Sequence, residues 1–185
     1  MPPDSTGHPP GSAIPACAAL TVPSGDAAVC PGPVAGPGTG AERDSAALDF
    51  PFPDHGCFGC SATNADGLRL RFFTHGNELR GSYRIAERFH GAPGIAHGGI
   101  AATILDEFSC AAAVFLTGQR VMTGELNVRY EKPCPVEQEI EIVARITSRE
   151  HPRYLTIEAE IRRDGHRLVI STGKFFPQAI AELVP

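Results

Sequence analysis

Asp106 and Glu107 are the only charged residues in an otherwise apolar stretch running over 98–116. A carboxylate resists burial without a partner, because the apolar interior cannot replace its hydration. Such a pair marks either polar contacts at a helix edge or subunit interface, or a group kept for chemistry as a general base or nucleophile. Just upstream, Gly94-Ile95-Ala96-His97-Gly98-Gly99 sets two glycines at the start of the same stretch. If 98–116 is a helix, its first N–H groups and its positive dipole end gather there, and glycines let a ligand approach the backbone closely. That arrangement suits a phosphate, a carboxylate or a developing oxyanion, although the tripeptide is equally an ordinary helix start.

The helix itself is legible. Ile100, Ile104, Phe108, Ala111 and Phe115 recur at spacings of four, four, three and four, and the alanines between them leave a helix apolar nearly all round, as a buried one is. Adjacent helical residues point about 100° apart, so Asp106 and Glu107 face different surroundings. His97 and Asp106, nine residues apart, fall on opposite sides of the helix about 13 Å from each other. One chain cannot bring both to one small reacting group. A site that uses both has to be assembled from two subunits, which predicts a homodimer at minimum or a dimer of dimers, with two sites per symmetric dimer.

Around the helix the period changes to two. Leu68, Leu70 and Phe72 alternate with polar residues, 74–77 offers a turn, and 78–85 reads as the returning strand. After the helix come strand-like runs at 121–130, 139–146, 154–162 and 166–176, with Asp164-Gly165 as a hairpin turn. No regular strand–helix alternation is present, so the expected class is α+β, with one long buried helix held by one curved antiparallel sheet.

At His97-Gly98-Gly99-Ile100-Ala101-Ala102-Thr103-Ile104-Leu105-Asp106 the sequence resembles the hotdog-fold acyl-CoA thioesterases, in the branch typified by phenylacetate-pathway thioesterases and the human thioesterase-superfamily members. Cys57-Phe58-Gly59-Cys60, with Asn64 and Gly67-Leu68, resembles the leading segment of many bacterial members. The run 121–130 with Pro133 resembles their first strand after the helix. The resemblance extends over about residues 50–177. It implies that Asp106 acts as general base or nucleophile, that the Gly98 N–H polarises the thioester carbonyl, that Thr123 places the water or the carboxylate, and that His97 lies near the thioester. It also implies an acyl-CoA substrate, contacted by Gly99, Asn127, Arg129, Lys132 and Arg153, with no cofactor and no metal. Gly91 stands where some relatives carry Asn or Gln, with His90 beside it.

Thioester hydrolysis fits these groups. Coenzyme A thiol leaves readily, so no strong general acid is needed. A carboxylate in a semi-apolar helix gains basicity, and one backbone N–H aimed at the oxyanion lowers the barrier by about 3 kcal/mol. Two other readings stay open: a hotdog hydratase or dehydratase using His90 or His97, and an acyl-CoA sensor that turns nothing over.

Cys57 and Cys60, with His55 nearby, invite a zinc or redox reading, but a structural zinc site usually takes four ligands and no second cysteine pair is present. The pair is read as packing a turn against the helix, and Cys110 and Cys134 as inert. Arg129, Lys132, Arg149 and Arg153 are read as one cluster at strand ends, either a solvated rim or a contact for the coenzyme A phosphates.

Charge and composition set the remaining expectations. With 16 basic and 21 acidic residues the net charge is −5, so no general attraction to nucleic acid or an anionic membrane is expected. No run of about 20 apolar residues is read as a membrane span. The first Lys or Arg is Arg43, so no basic leader is read, and a cytoplasmic protein with reduced thiols is expected. Residues 1–45 hold nine of the 17 prolines, seven of the 20 glycines and no aromatic residue. That composition predicts a disordered tail ahead of a domain over 46–185.

Overall fold

The computed structural model describes residues 47–51, 54 and 56–178. All of them belong to the unit Ala41–Pro185. The expected tail over 1–45, with Cys17 and Cys30, lies outside the described residues.

The elements are β1 (Phe73–His75), β2 (Glu78–Arg84), a 3-10 turn (Glu87–Phe89), the short ribbon strands β3 (His90–Ala92) and β4 (Ile95–Ala96), the helix α1 (Gly98–Thr117), and then β5 (Val121–Tyr130), β6 (Glu139–Ser148), β7 (Leu155–Arg163) and β8 (His166–Pro177). Six strands form one sheet in the order β1-β2-β6-β7-β8-β5. Every neighbouring pair is antiparallel. Together with α1 this is the α+β architecture that the patterning predicts, and the hotdog fold that the resemblance implies.

The core lies where helix and sheet meet. Ile104, Leu105, Phe108, Ala111 and Ala112 of α1 are fully buried, and so are Ile140, Ile142, Ile157, Ala159, Ile161, Val169 and Phe175 of the sheet. Phe108 stacks edge-on against Phe72 at 4.8 Å. At Gly81 a β-carbon would lie 2.6 Å from the Phe108 ring, so glycine there lets β2 approach the helix. The Asp164-Gly165 turn carries positive φ at both residues (49° and 75°), the backbone that a two-residue hairpin with right-handed twist requires. Helix α1 ends at Gly118, whose left-handed φ of 73° lets its N–H bond the Val114 carbonyl.

Two expectations change. Leu68, Leu70 and Phe72 are buried as their alternation predicts, but they form no strand. The Leu68 and Leu70 N–H groups bond the Phe58 and Gly59 carbonyls, and Arg69 takes a positive φ of 54°. The loop 56–64 captures this segment, and the sheet starts only at Phe73. Helix α1 is also long and apolar enough, by length and composition, to cross a membrane, with a mean hydropathy of 1.6 and half of the window buried. Its apolar faces serve the packing against the sheet.

Strand β5 is one of the sheet's two edges, opposite the short β1. It pairs with β8 on one side only, and Met122, Thr123, Gly124, Glu125, Asn127, Arg129 and Tyr130 are exposed. A long exposed edge of unpaired N–H and C=O groups is a template for another strand.

Candidate active site

Helix α1 and strand β5 run out and back, and their contacts define two stations. The first is the start of α1. His97 caps the helix: its Nδ1 accepts the Gly99 N–H at 3.0 Å. The Ile100 and Ala101 N–H groups bond the His97 carbonyl. The Gly98 N–H is left without a partner among the described residues. From the end of β5, the Tyr130 hydroxyl donates to the Gly98 carbonyl at 2.8 Å. Beside Gly98 opens a cleft of about 320 Å³, whose lining includes Ala101, Tyr130, Lys132 and Cys134.

The second station lies two turns along the helix. The Thr123 hydroxyl, near the start of β5, donates to Asp106 Oδ1 at 2.7 Å. Cys110 Sγ lies 3.5 Å from the same hydroxyl. Burial raises the Asp106 pKa above its ordinary value, and the Thr123 bond works against that shift by favouring the charged form. Burial also pushes the Cys110 thiol up to about 12, so it stays a neutral thiol beside the carboxylate. The ladder between β5 and β8 shifts register between Thr123 and Glu125. Gly124, at that bulge, has no room for a side chain, because a β-carbon would sit 2.3 Å from the Phe176 ring. The bulge sets the aim of the Thr123 hydroxyl.

Glu107 faces elsewhere, as the 100° rule requires. Its Oε1 accepts the Cys57 thiol at 3.1 Å, on the side of α1 covered by the loop 56–64.

The structure therefore brings Asp106 to Thr123 and ties Gly98 to Tyr130. It keeps the two stations apart: Gly98 and Asp106 are separated by about 12 Å of helix, and Thr123 and Tyr130 by about 24 Å of strand. Contacts within the chain bear on the groups expected to bind substrate. The Gly99 N–H is already held by His97, so within the chain it is not open to a substrate oxygen. Asn127 donates one of its two amide N–H groups to Glu125 at 2.8 Å. The basic residues do not form one cluster. Arg129 pairs in register with Ile170, whereas Arg153 precedes Leu155, which pairs with Phe175. Five residues of β8 separate those positions, about 17 Å, so Arg129 and Lys132 stand at one end of the sheet and Arg153 at the other. Arg129 is also paired with Glu131 at 2.8 Å. His90 Nδ1 lies 2.7 Å from the Glu87 carbonyl, away from Asp106.

Tyr130 and Cys110 are contacts that the sequence reading did not assign. The only available signal for Tyr130 was its position. On a strand returning along a helix, residue 130 comes back to the level of residue 98, as residue 123 comes back toward 106.

Comparison with known proteins agrees with the fold. Residues 93–170 match the profile of the thioesterase superfamily, described as 4HBT. A stretch of 46 residues is 48% identical to the acyl-coenzyme A thioesterase THEM4 of Xenopus laevis, covering 25% of this chain and 20% of that protein. Among solved structures, a thioesterase superfamily protein superposes with a TM-score of 0.58 at 27% identity, over 63% of this chain and 60% of that one. The fold is shared with a putative thioesterase from Ralstonia eutropha JMP134, described as related to phenylacetic acid degradation (TM-score 0.54, 19% identity, 64% of this chain and 92% of that one). It is shared as well with a hypothetical thioesterase from Streptococcus pneumoniae TIGR4 solved with coenzyme A (TM-score 0.54, 16% identity, 60% and 86%). The matched stretch spans about a fifth of the curated relative's length.

Proposed function

From the thioesterase-superfamily domain at residues 93–170, we propose that this protein hydrolyses an acyl-CoA thioester to the free acid and coenzyme A. The observation that carries the reading is the Asp106 carboxylate, half-buried in an apolar helix and aimed by the Thr123 hydroxyl at 2.7 Å. Partial desolvation makes it a stronger base than an exposed carboxylate. It either takes a proton from the attacking water or attacks the thioester carbonyl itself, and the Gly98 N–H at the positive end of α1 receives the oxyanion. The thiolate of coenzyme A departs. The substrate class is supported by the name of the curated relative and by the coenzyme A in the Streptococcus structure.

The two stations lie too far apart to serve one carbonyl, so the reading includes a symmetric dimer. Antiparallel pairing of β5 with β5 of a second copy would set Thr123 and Asp106 of one chain near Gly98 and Tyr130 of the other. It would also bring Arg153 of one chain toward Arg129 and Lys132 of the other, restoring a basic rim for the phosphates of coenzyme A. The hydratase reading has fewer contacts behind it: His97 Nδ1 is taken by the Gly99 N–H, which leaves Nε2 alone for proton transfer.

The test is release of free thiol from a panel of acyl-CoAs. Asp106→Asn keeps shape and hydrogen bonding but removes the charge. Its turnover should fall by about 10² or more, within the range of general-base contributions, while acyl-CoA binding persists. Glu107→Gln should keep most of the activity. Full activity in Asp106→Asn would overturn the assignment. Binding without turnover in the wild type would favour the sensor.

A further inference from the structure

Glu107 is a half-buried carboxylate that the proposed hydrolysis does not use. Among the described residues no lysine or arginine pairs with it. Its neighbours are two thiols. Cys57 donates to Glu107 Oε1 at 3.1 Å, and Cys60 Sγ lies within 4.8 Å of both groups. The two sulfurs and one carboxylate oxygen lie within 4.8 Å of one another. We infer that Cys57, Cys60 and Glu107 form a binding site for a thiophilic divalent cation, zinc above all, which clamps the loop 56–64 to helix α1.

The donor set selects the ion. Two thiolates and one carboxylate are zinc ligands, and they carry three negative charges against the ion's two positive ones. Zinc–sulfur bonds of about 2.3 Å in a tetrahedron put neighbouring ligand atoms about 3.7 Å apart. From 4.8 Å the side chains need only a short inward movement. The fourth position falls to water, the arrangement of a three-ligand site. On binding, the two thiol protons leave to solvent as sulfur–metal bonds form, and no redox partner is involved.

The surroundings are built for this geometry. The Gly59 N–H donates to Cys57 Sγ at 3.3 Å, which fixes the sulfur's place in the turn. A β-carbon at Gly59 would sit 2.2 Å from Glu107 Cγ, so glycine is what admits the helix carboxylate to the cysteine turn. Asp54 fixes the turn from outside by accepting from Gly56 N–H, the Ser61 hydroxyl, and the Thr63 hydroxyl and N–H. A disulfide between Cys57 and Cys60 would gain nothing from a carboxylate against its sulfurs, whereas a cation gains a ligand.

The full chain, purified under reductant and stripped by chelation, is titrated with cobalt(II) and with zinc(II) alone. Wild type should take one ion per chain. The cobalt form should show a thiolate-to-metal charge-transfer band and the intense visible bands of a tetrahedral ion. Cys57→Ser with Cys60→Ser should lose the charge-transfer band. Glu107→Gln, which preserves size and fold, should keep the band and bind at least about tenfold more weakly, by analogy with the 10–100-fold losses seen when groups around a metal are changed. Zinc should raise the melting temperature of wild type and not that of the double variant. The inference fails if the reduced wild type shows no band, if the double variant binds as wild type does, if Glu107→Gln binds as tightly as wild type, or if the native protein holds Cys57 and Cys60 as a disulfide. None of these readouts involves thioester hydrolysis.

Discussion

Asp106 stands at a conflict between stability and reactivity, and pH separates the two. Burial raises its pKa above the ordinary 3.8, so between the unfolded and folded values the native state holds a proton that the unfolded chain has released. The stability associated with this group is therefore complete below the unfolded pKa and is lost as pH rises through the folded one. Asp106→Asn removes that loss. Thermal melts across pH should show the variant above wild type at neutral pH, by roughly 2–4 °C for each kcal/mol recovered, with the gap closing in acid. The Thr123 bond acts in the opposite direction, because it favours the carboxylate. Thr123→Val should accordingly raise the Asp106 pKa further and shift the acid limb of the kcat/KM profile to higher pH. A profile that stays in place would detach Thr123 from the carboxylate's charge.

At the scale of elements, the link between α1 and β5 is made by two hydroxyls, one at each station. Tyr130→Phe removes the bond to the Gly98 carbonyl and should cost about 1 kcal/mol of stability, read by denaturant melts; an unchanged midpoint would mean that the bond is made equally well by water. The helix, its buried faces and the strands from 121 onward were legible, because their periods of 3.6 and two arise from burial on one side and need no partner to be seen. Residues 68–72 misled for the same reason. Alternation reports which side chains are buried, not which backbone groups pair, and the carbonyls of Phe58 and Gly59 outcompete the sheet there. At the site, Asp106 and Gly98 stand out in the sequence by residue type and place on the helix, whereas Thr123 enters only through the family resemblance, and the roles of all three belong to the proposal. The Gly99 N–H was not legible, since only the rotamer of His97 shows that the bond is already made. Nor was Glu107's approach to Cys57, because a contact between residues 50 positions apart leaves no period in the sequence.

For the whole molecule, the antiparallel register decides where chemistry can occur. It places Thr123 and Tyr130 at opposite ends of β5, and it places Arg153 far from Arg129, so a single chain holds both halves of the proposed machinery without joining them. The exposed β5 edge is what a second copy would cover. Mixing inactive chains tests this directly. Gly98→Pro is a suitable partner for Asp106→Asn: proline is tolerated at the first helical position, it lacks the N–H meant for the oxyanion, and His97 at φ −61° and ψ 133° already has the backbone that precedes a proline. Each variant alone should release almost no thiol. If the site takes Asp106 from one chain and Gly98 from the other, each heterodimer keeps one intact site of two. Random mixing makes half of the dimers heterodimers, so the mixture should recover about a quarter of the wild-type rate. A site complete within one chain gives no recovery at any ratio, because every chain in the mixture is then missing one of its own groups.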